Sequence, residues 1–320
     1  MSDTYLLELS LERDDARKVE ILSIQETYED FKIEYIDDFI AVISGNWKRI
    51  ERAAFVNTVG LILSKGEKPE DLKIDIPDGF FYIRYRDIDR DWPVSEAALG
   101  DLLNAKGRIS FTHPNFVLRV VHHKVFYLTM IMYERDKKSF EIRKAPKRPF
   151  FSPVSMHPKY ARFLVNCAHV RENETILDPF CGTGGILIEA ALMGIRVVGN
   201  DVSLAMAVGA RTNLSYFHVE NFRVYNKDVR ELDLEGVDGI ATDMPYGRNS
   251  YHTDEITELY EVSFQKFSDM LKPGGYAAFA VSQQEHVEIA KKYFEVRYVV
   301  PVYQHRSLTR YFVTARNKIK

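Results

Sequence analysis

The chain has 320 residues, 46% hydrophobic and 28% charged, with a net charge of −3 and two cysteines, Cys167 and Cys181. That length predicts two domains, or two plus a small module, each with apolar material for its own core. No apolar run reaches the ~20 residues of a membrane helix, MSDTYLLELSLERDD has no leader-like basic and apolar regions, and two cysteines form neither a disulfide framework nor a metal pattern, so a reducing, cytoplasmic setting is expected.

Tyr5–Leu9 alternates as a short strand, and Ala16–Ile24 has helical spacing. Phe31–Tyr35 and Phe39–Ser44 read as strands about an Asp37-Asp38 turn, and Trp47–Val56 as a helix capped by Asn46. This β-α-β-β-α order predicts a ferredoxin-like module over residues 1–64. A Lys-, Glu-, Pro- and Asp-rich break covers Lys65–Gly79. Phe80–Arg84 then reads as a strand, and Ser95–Ala105 as a helix with Ser95 as cap and Gly107 as stop. Val117–Val121 and Val125–Met132 are strands joined by a His122-His123-Lys124 turn, which gives a second α+β module over 65–144. Prolines at 146, 149, 153 and 158 mark 145–158 as an extended linker and the main boundary, before a last domain over 159–320.

From Glu174 strands and helices alternate. The strands are Thr175–Asp178, Arg196–Asp201, Phe222–Asn226, Gly239–Asp243 and Tyr276–Val281, followed by a hairpin of Val296–Val302 and Arg310–Ala315. Ile186–Met193, Ala205–Phe217, Ile256–Leu271 and Glu285–Tyr293 are the helices between them. The rhythm predicts an α/β, Rossmann-like domain built on a seven-stranded, mostly parallel sheet, whose ligands bind beyond the C-terminal strand ends.

The chemistry is sought at those ends. Asp178-Pro179-Phe180-Cys181-Gly182-Thr183-Gly184-Gly185 closes the first strand and opens a helix. Its glycines permit a tight turn. An acid at its head disfavours a diphosphate, which would sit on the helix N-terminus, and suits a cationic or amino-bearing ligand. Asp201, followed by Val202, ends the second strand where a carboxylate can accept two ribose hydroxyls. Asp228, followed by Val229, comes after the third, where an adenine amino group could be received. Together these describe an adenosine with a charged tail. Each acid alone could equally be a helix cap.

Asp243-Met244-Pro245-Tyr246 ends the fourth strand. A carboxylate and an adjacent backbone carbonyl can accept both hydrogens of an –NH2 group. Pro245 stiffens the turn, and Tyr246 offers a stacking face. Read plainly, the same residues make an ordinary turn.

The charge is unevenly spread. Residues 135–171 hold ten Lys/Arg against two acids, and residues 291–320 hold eight against one, so the rest of the chain is strongly acidic. This predicts a basic face suited to phosphates, with Lys144, Lys147, Arg148, Arg248, Arg306 and Arg310 as candidates. The bland alternative is a solvated linker and tail. The nine histidines show no metal-ligand spacing, so no metal is expected.

The chain resembles the class I methyltransferases that carry an [Asn/Asp]-Pro-Pro-aromatic motif. More closely, it resembles the archaeal tRNA guanosine-10 N2-methyltransferases with an N-terminal THUMP domain. The resemblance rests on Pro149-Phe-Phe-Ser-Pro-Val-Ser-Met-His-Pro158, the Asp178 loop, Asp243-Met-Pro-Tyr-Gly-Arg, His305-Arg-Ser-Leu-Thr-Arg310 and Pro114-Asn-Phe-Val-Leu-Arg-Val120. It covers essentially the whole chain, more firmly from Phe150 onward.

The resemblance implies S-adenosylmethionine along Asp178–Gly185, Asp201 and Asp228. It implies that Asp243 and the Met244 carbonyl grip guanine N2 and that Tyr246 stacks on the base. It makes 65–144 a THUMP RNA-binding domain, tRNA the substrate and mono- or dimethylguanosine the product. Nothing in the sequence suggests an obligate dimer, and a monomer is expected. Met244 stands where that family usually has proline, though its carbonyl remains. The rivals are the same chemistry on another nucleic-acid amino group, a non-catalytic RNA-binding protein, and a small-molecule methyltransferase.

Overall fold

The computed structural model describes residues 3–12, 15–73, 79–103, 108–136, 138–153, 155–246, 253–305 and 308–318. In chain order the elements are β1 (Thr4–Leu9), α1 (Ala16–Tyr28), β2 (Phe31–Ile36), β3 (Ile40–Gly45), β4 (Val56–Gly66), β5 (Phe81–Asp87), α2 (Glu96–Leu102), β6 (Phe116–His123) and β7 (Val125–Glu134). There follow α3 (Pro158–Cys167), β8 (Thr175–Asp178), α4 (Gly185–Ala191), β9 (Arg196–Asn200), α5 (Leu204–Tyr216), β10 (Arg223–Tyr225), β11 (Val237–Asp243), α6 (Thr253–Met270), β12 (Leu271–Val281), α7 (Gln284–Tyr293), β13 (Phe294–His305) and β14 (Leu308–Asn317).

The chain divides into two compact units, and the division is not serial. One comprises residues 1–12, 29–51 and 56–136; the other comprises 13–28, 52–55 and 137–320. The expected segments 1–64, 65–144, 145–158 and 159–320 therefore do not match the division in space.

The first unit holds one seven-stranded sheet in the order β2-β3-β1-β4-β7-β6-β5. Its joint is β4, which pairs antiparallel with both β1 and β7. β4 was not expected: only Val56 fell in the expected helix and 65–66 in the expected break, with 57–64 unassigned. Trp47–Arg52 forms only a 3-10 turn, and Val-Asn-Thr-Val-Gly-Leu-Ile-Leu from Val56 continues as strand. The two expected modules consequently share one sheet. His122 and His123 also differ from expectation. Both are buried in β6, and Lys124 alone turns the chain, in left-handed backbone (φ 61).

The second unit is the expected α/β sheet, ordered β10-β9-β8-β11-β12-β14-β13. β10, β9, β8, β11 and β12 run parallel, and β14 runs antiparallel to β12 and β13. Ser203 caps α5 as its hydroxyl accepts the Met206 amide. α3, also unforeseen, starts with Pro158 after His157, whose ring nitrogen accepts the Lys159 amide at 3.2 Å.

Residues 145–153 and 155–158 are not a free linker. The Phe150 amide donates to Asn213 Oδ1 and its carbonyl accepts from Asn213 Nδ2, both at 2.9 Å. Ser152 and Met156 are buried.

α1 belongs to this second unit. Its fully buried Glu20 accepts the Ala54 and Phe55 amides and Asn166 Nδ2 at 2.7–2.9 Å. Among the described residues no helix is long and apolar enough to cross a membrane.

Candidate active site

In a parallel sheet every β-to-α turn leaves from the same edge, which brings residues distant in sequence together there. The turns after β8, β9 and β11 line one cavity of about 430 Å³, within the usual range for small-ligand sites. Asp178, Phe180, Gly182, Thr183, Asp201 and the run Asp243–Tyr246 all face it. Gly182 (φ 50) and Gly184 (φ 80) both adopt left-handed backbone, the conformation glycine adopts most readily, and this folds the loop tightly enough to start α4.

Three carboxylates meet at this cavity. Asp178 is buried, and Thr242 Oγ1 (2.7 Å) and the Phe180 amide (3.2 Å) both donate to its Oδ1. Burial pushes its pKa up to about 8; those two donors oppose the shift, and the charges of Asp201 and Asp243 add to it. Asp201 accepts the Gly182 and Ser203 amides, each at 2.9 Å, one on each oxygen. Burial raises its pKa despite those bonds. A carboxylate has about four lone-pair sites, so each oxygen can still accept a hydroxyl.

Asp243 receives the Tyr246 hydroxyl on Oδ1 and lies 3.5 Å from Arg310 Nη2 through Oδ2. Burial raises its pKa, with Arg310 and Tyr246 opposing. The Arg310 guanidinium also covers the Tyr246 ring at 5.3 Å. Three under-compensated acids around one cavity suit a ligand that carries positive charge, and Asp201 at the end of β9 suits a ribose. The residues therefore fit an adenosine with a cationic tail.

Met244 is buried, and its amide donates to the Ala280 carbonyl at 3.0 Å, extending the β11–β12 pairing by one residue. A proline could not make this bond. The Pro245 carbonyl accepts from Tyr260 at 3.0 Å, so it is already engaged.

Asp228 stands just after β10. It caps the 3-10 turn Val229–Glu231 by accepting the Arg230 amide at 2.9 Å, and it is not part of the cavity wall; neither are Pro179, Val202 and Val229. Cys181 is buried, and burial together with Asp178 raises its thiol pKa well above the ordinary value, which disfavours a nucleophilic thiolate.

The basic candidates separate. Lys147 is exposed, and Lys144 is half-buried and pairs with Glu141 at 2.7 Å. Arg248 and Arg306 lie outside the described residues. Arg148 is only 5% exposed and Arg310 is turned onto Asp243, so neither forms an open phosphate contact. Arg135, Arg143 and Arg162 are likewise enclosed, so part of the basic run is internal rather than a solvated face. Asp87, Asp91 and His122 in the first unit are close enough to share an ion. They went unseen because a strand end, a loop and another strand supply them. Asp87 already accepts the Arg90 and Trp92 amides.

Residues 146–311 match the family model described as "RMKL-like, methyltransferase domain". A tRNA (guanine(10)-N2)-dimethyltransferase of Methanothermobacter thermautotrophicus is 43% identical over 188 residues, covering 58% of this chain and 56% of that protein. A protein of the same name from Methanocaldococcus jannaschii is 32% identical, covering 68% and 62%. Another from Pyrococcus abyssi is 29% identical, covering 86% and 88%. The chain thus spans less than two thirds of the first two. Among solved structures, TrmN from Thermus thermophilus superposes with TM-score 0.57 at 20% identity, covering 98% of this chain and 99% of that one.

Proposed function

Because the chain belongs to the RMKL-like methyltransferase-domain family, we propose that it methylates the exocyclic N2 of guanosine 10 in tRNA, in up to two rounds. The second unit has the class I methyltransferase fold. The cofactor is S-adenosylmethionine, which when bound supplies a methyl group already activated by sulfonium charge.

The protein's share is placement and electrostatics. Asp243 and the Met244 carbonyl accept the two N2 hydrogens, which turns the nitrogen lone pair out of the base plane. Asp243 also stabilises the positive charge developing on N2 and receives the departing proton. In the free protein Tyr246 and Arg310 occupy Asp243, so the base must displace the Tyr246 hydroxyl to bind, and the freed ring can stack on it. The base reaches this pocket by leaving its stack.

The observation that carries this reading is Asp243, half-buried at the end of β11 and sharing one cavity wall with Asp178, Asp201 and Met244. The first unit serves as the tRNA-holding module. In support, Phe80 and Phe111 are 54% and 69% exposed, Phe111 stacks on Tyr82 and Arg84 covers the Tyr82 ring, a pairing suited to unpaired bases. Lys144, Lys147, Arg248 and Arg306 contribute phosphate contacts, and the protein acts as a monomer without a metal.

The test is transfer from labelled S-adenosylmethionine into an unmodified tRNA transcript, followed by nucleoside analysis. N2-methyl- and N2,N2-dimethylguanosine, both absent when guanosine 10 is replaced, are expected. Label in another nucleoside overturns the site assignment.

A further inference from the structure

Behind one wall of the cavity stand three enclosed guanidiniums, and only two of them pair with the carboxylate of Glu189. Glu189, fully buried in α4, binds Arg143 at 2.6 Å through Nε and Arg162 at 2.8 Å through Nη2. Arg148 has no such partner among the described residues. Its Nε donates to the Arg143 carbonyl at 2.9 Å, and its Nη1 donates to Thr183 Oγ1 at 3.3 Å. Its Nη2 is buried and meets no acceptor. Burial lowers the Arg148 pKa, and only the more distant Glu189 opposes this. A buried cation lacking a counter-ion is costly, and such a group is a mark of a missing ligand.

The guanidinium stands directly behind residues that line the cavity. A side chain on Gly185 would come within 3.0 Å of Nη1 and 3.3 Å of Nη2. Thr183 Oγ1 lies 3.0 Å from Ser155 Oγ, and Ser155 donates to the Ser152 carbonyl at 2.9 Å. Since Arg148 donates to Thr183, and Ser155 donates onward, the Thr183 proton points to Ser155. The result is a one-way chain of donors along the wall, all of whose hydroxyls can swing toward an anion. The cavity thus has two kinds of wall: one of carboxylates, one of hydroxyls backed by an unpaired cation. A ligand with both charges matches it.

We propose that Arg148, with Thr183 and Ser155, forms the subsite for the carboxylate of the cofactor's amino-acid tail. This rests on the S-adenosylmethionine reading above. It gives Arg148 a role inside the catalytic unit in place of the RNA contact expected from the sequence.

Isothermal titration with three probes tests it: S-adenosylmethionine, its decarboxylated analogue and 5′-methylthioadenosine. Wild-type protein should bind S-adenosylmethionine at least ~10-fold more tightly than the decarboxylated analogue, the worth of a charged hydrogen bond. R148M should bring that ratio to near one and leave methylthioadenosine binding unchanged. A wild-type ratio near one, or an R148M ratio equal to wild type, overturns the subsite. So does an R148M defect that is equally large for methylthioadenosine, which marks a purely structural role. Should R148M fail to fold, T183V and S155A carry the same comparison: a reduced ratio supports the subsite and an unchanged one overturns it. Failure of the wild type to bind any of the three probes would instead overturn the cofactor reading itself.

Discussion

The two units use aspartate in opposite ways. In the first, Asp37 accepts the Phe39 and Ile40 amides and Lys124 Nζ, Asp89 accepts the Lys124 amide, and the His123 ring lies between the two, 2.7 Å from Asp37 and 2.6 Å from Asp89. Burial works against these acids and is outweighed by their donors, so their pKa values fall. In the second unit Asp178 and Asp201 each have two donors and Asp243 has Tyr246 and Arg310, and there burial prevails and the pKa values rise. Acids that brace a structure are saturated by it. Acids that await a ligand are left short of donors, and the cost in the free protein becomes selectivity for a positive ligand.

The largest expected effect sharpens that contrast. Asp243→Ala should reduce methyl transfer by at least ~10³-fold, because it removes an acceptor at the reacting nitrogen, and should leave cofactor affinity nearly intact. Single-turnover transfer and equilibrium binding measure the two separately. Full activity in this variant would place the target base elsewhere.

The next effect is a pH dependence. Asp178 has a raised pKa, so in the free protein it holds its proton up to about pH 8, against an ordinary value of 3.8. A positive ligand favours the ionised form. Cofactor affinity should therefore rise with pH from 6 to 8, by up to ~10-fold per unit, and the slope should vanish in Asp178→Asn. For free-protein stability the sign is opposite. This group's penalty is absent below about pH 4 and complete above about pH 8, so its contribution worsens as pH rises. A flat affinity profile would break the comparison.

A smaller effect is expected in the first unit. Asp37→Asn should cost ~1–3 kcal/mol of stability through its lost charged hydrogen bonds, read by denaturant unfolding, without altering cofactor binding. Because the Asp37 pKa is lowered, its contribution is present above the unfolded value and is lost as pH falls through it. The smallest effect is that of Met244→Pro, which leaves the Ala280 carbonyl without its donor. A loss of ~1 kcal/mol is expected, partly offset by the stiffer unfolded chain. A gain in stability would show that the extended pairing is dispensable.

The Asp178 loop, Asp201 and the Asp243 turn were legible in the sequence because each is a local run that ends a strand, and parallel topology brings such runs together. Asp228 fits the cap that the sequence allowed as the alternative for each acid, since its side chain caps the turn that follows. Contacts between remote residues left no local trace. Arg143 meets Glu189 across 46 residues, so part of a run of positive charge read as a surface proves internal. β4 shows no clean alternation over 57–64, and the helix expected to run to Val56 is a 3-10 turn that stops at Arg52. The role of Arg310 against Asp243 depends on β14 returning antiparallel beside β12, which no local spacing reveals.

Helix α1 carries a consequence for how this protein can be cut. The chain passes between its two units five times, and the catalytic unit takes α1 and residues 52–55 from far upstream of its main body. Excising 137–320 would keep every residue of the cavity wall. It would also strip Asn166 of Glu20 and Arg52, its buried partners at 2.7 Å, and remove the chain that covers α3. No single junction separates the catalytic unit from the first one. Fusions or truncations at the proline-rich stretch should give insoluble fragments, whereas co-expressing the two halves should restore a folded complex. One crossover at any point in the chain therefore exchanges neither unit whole.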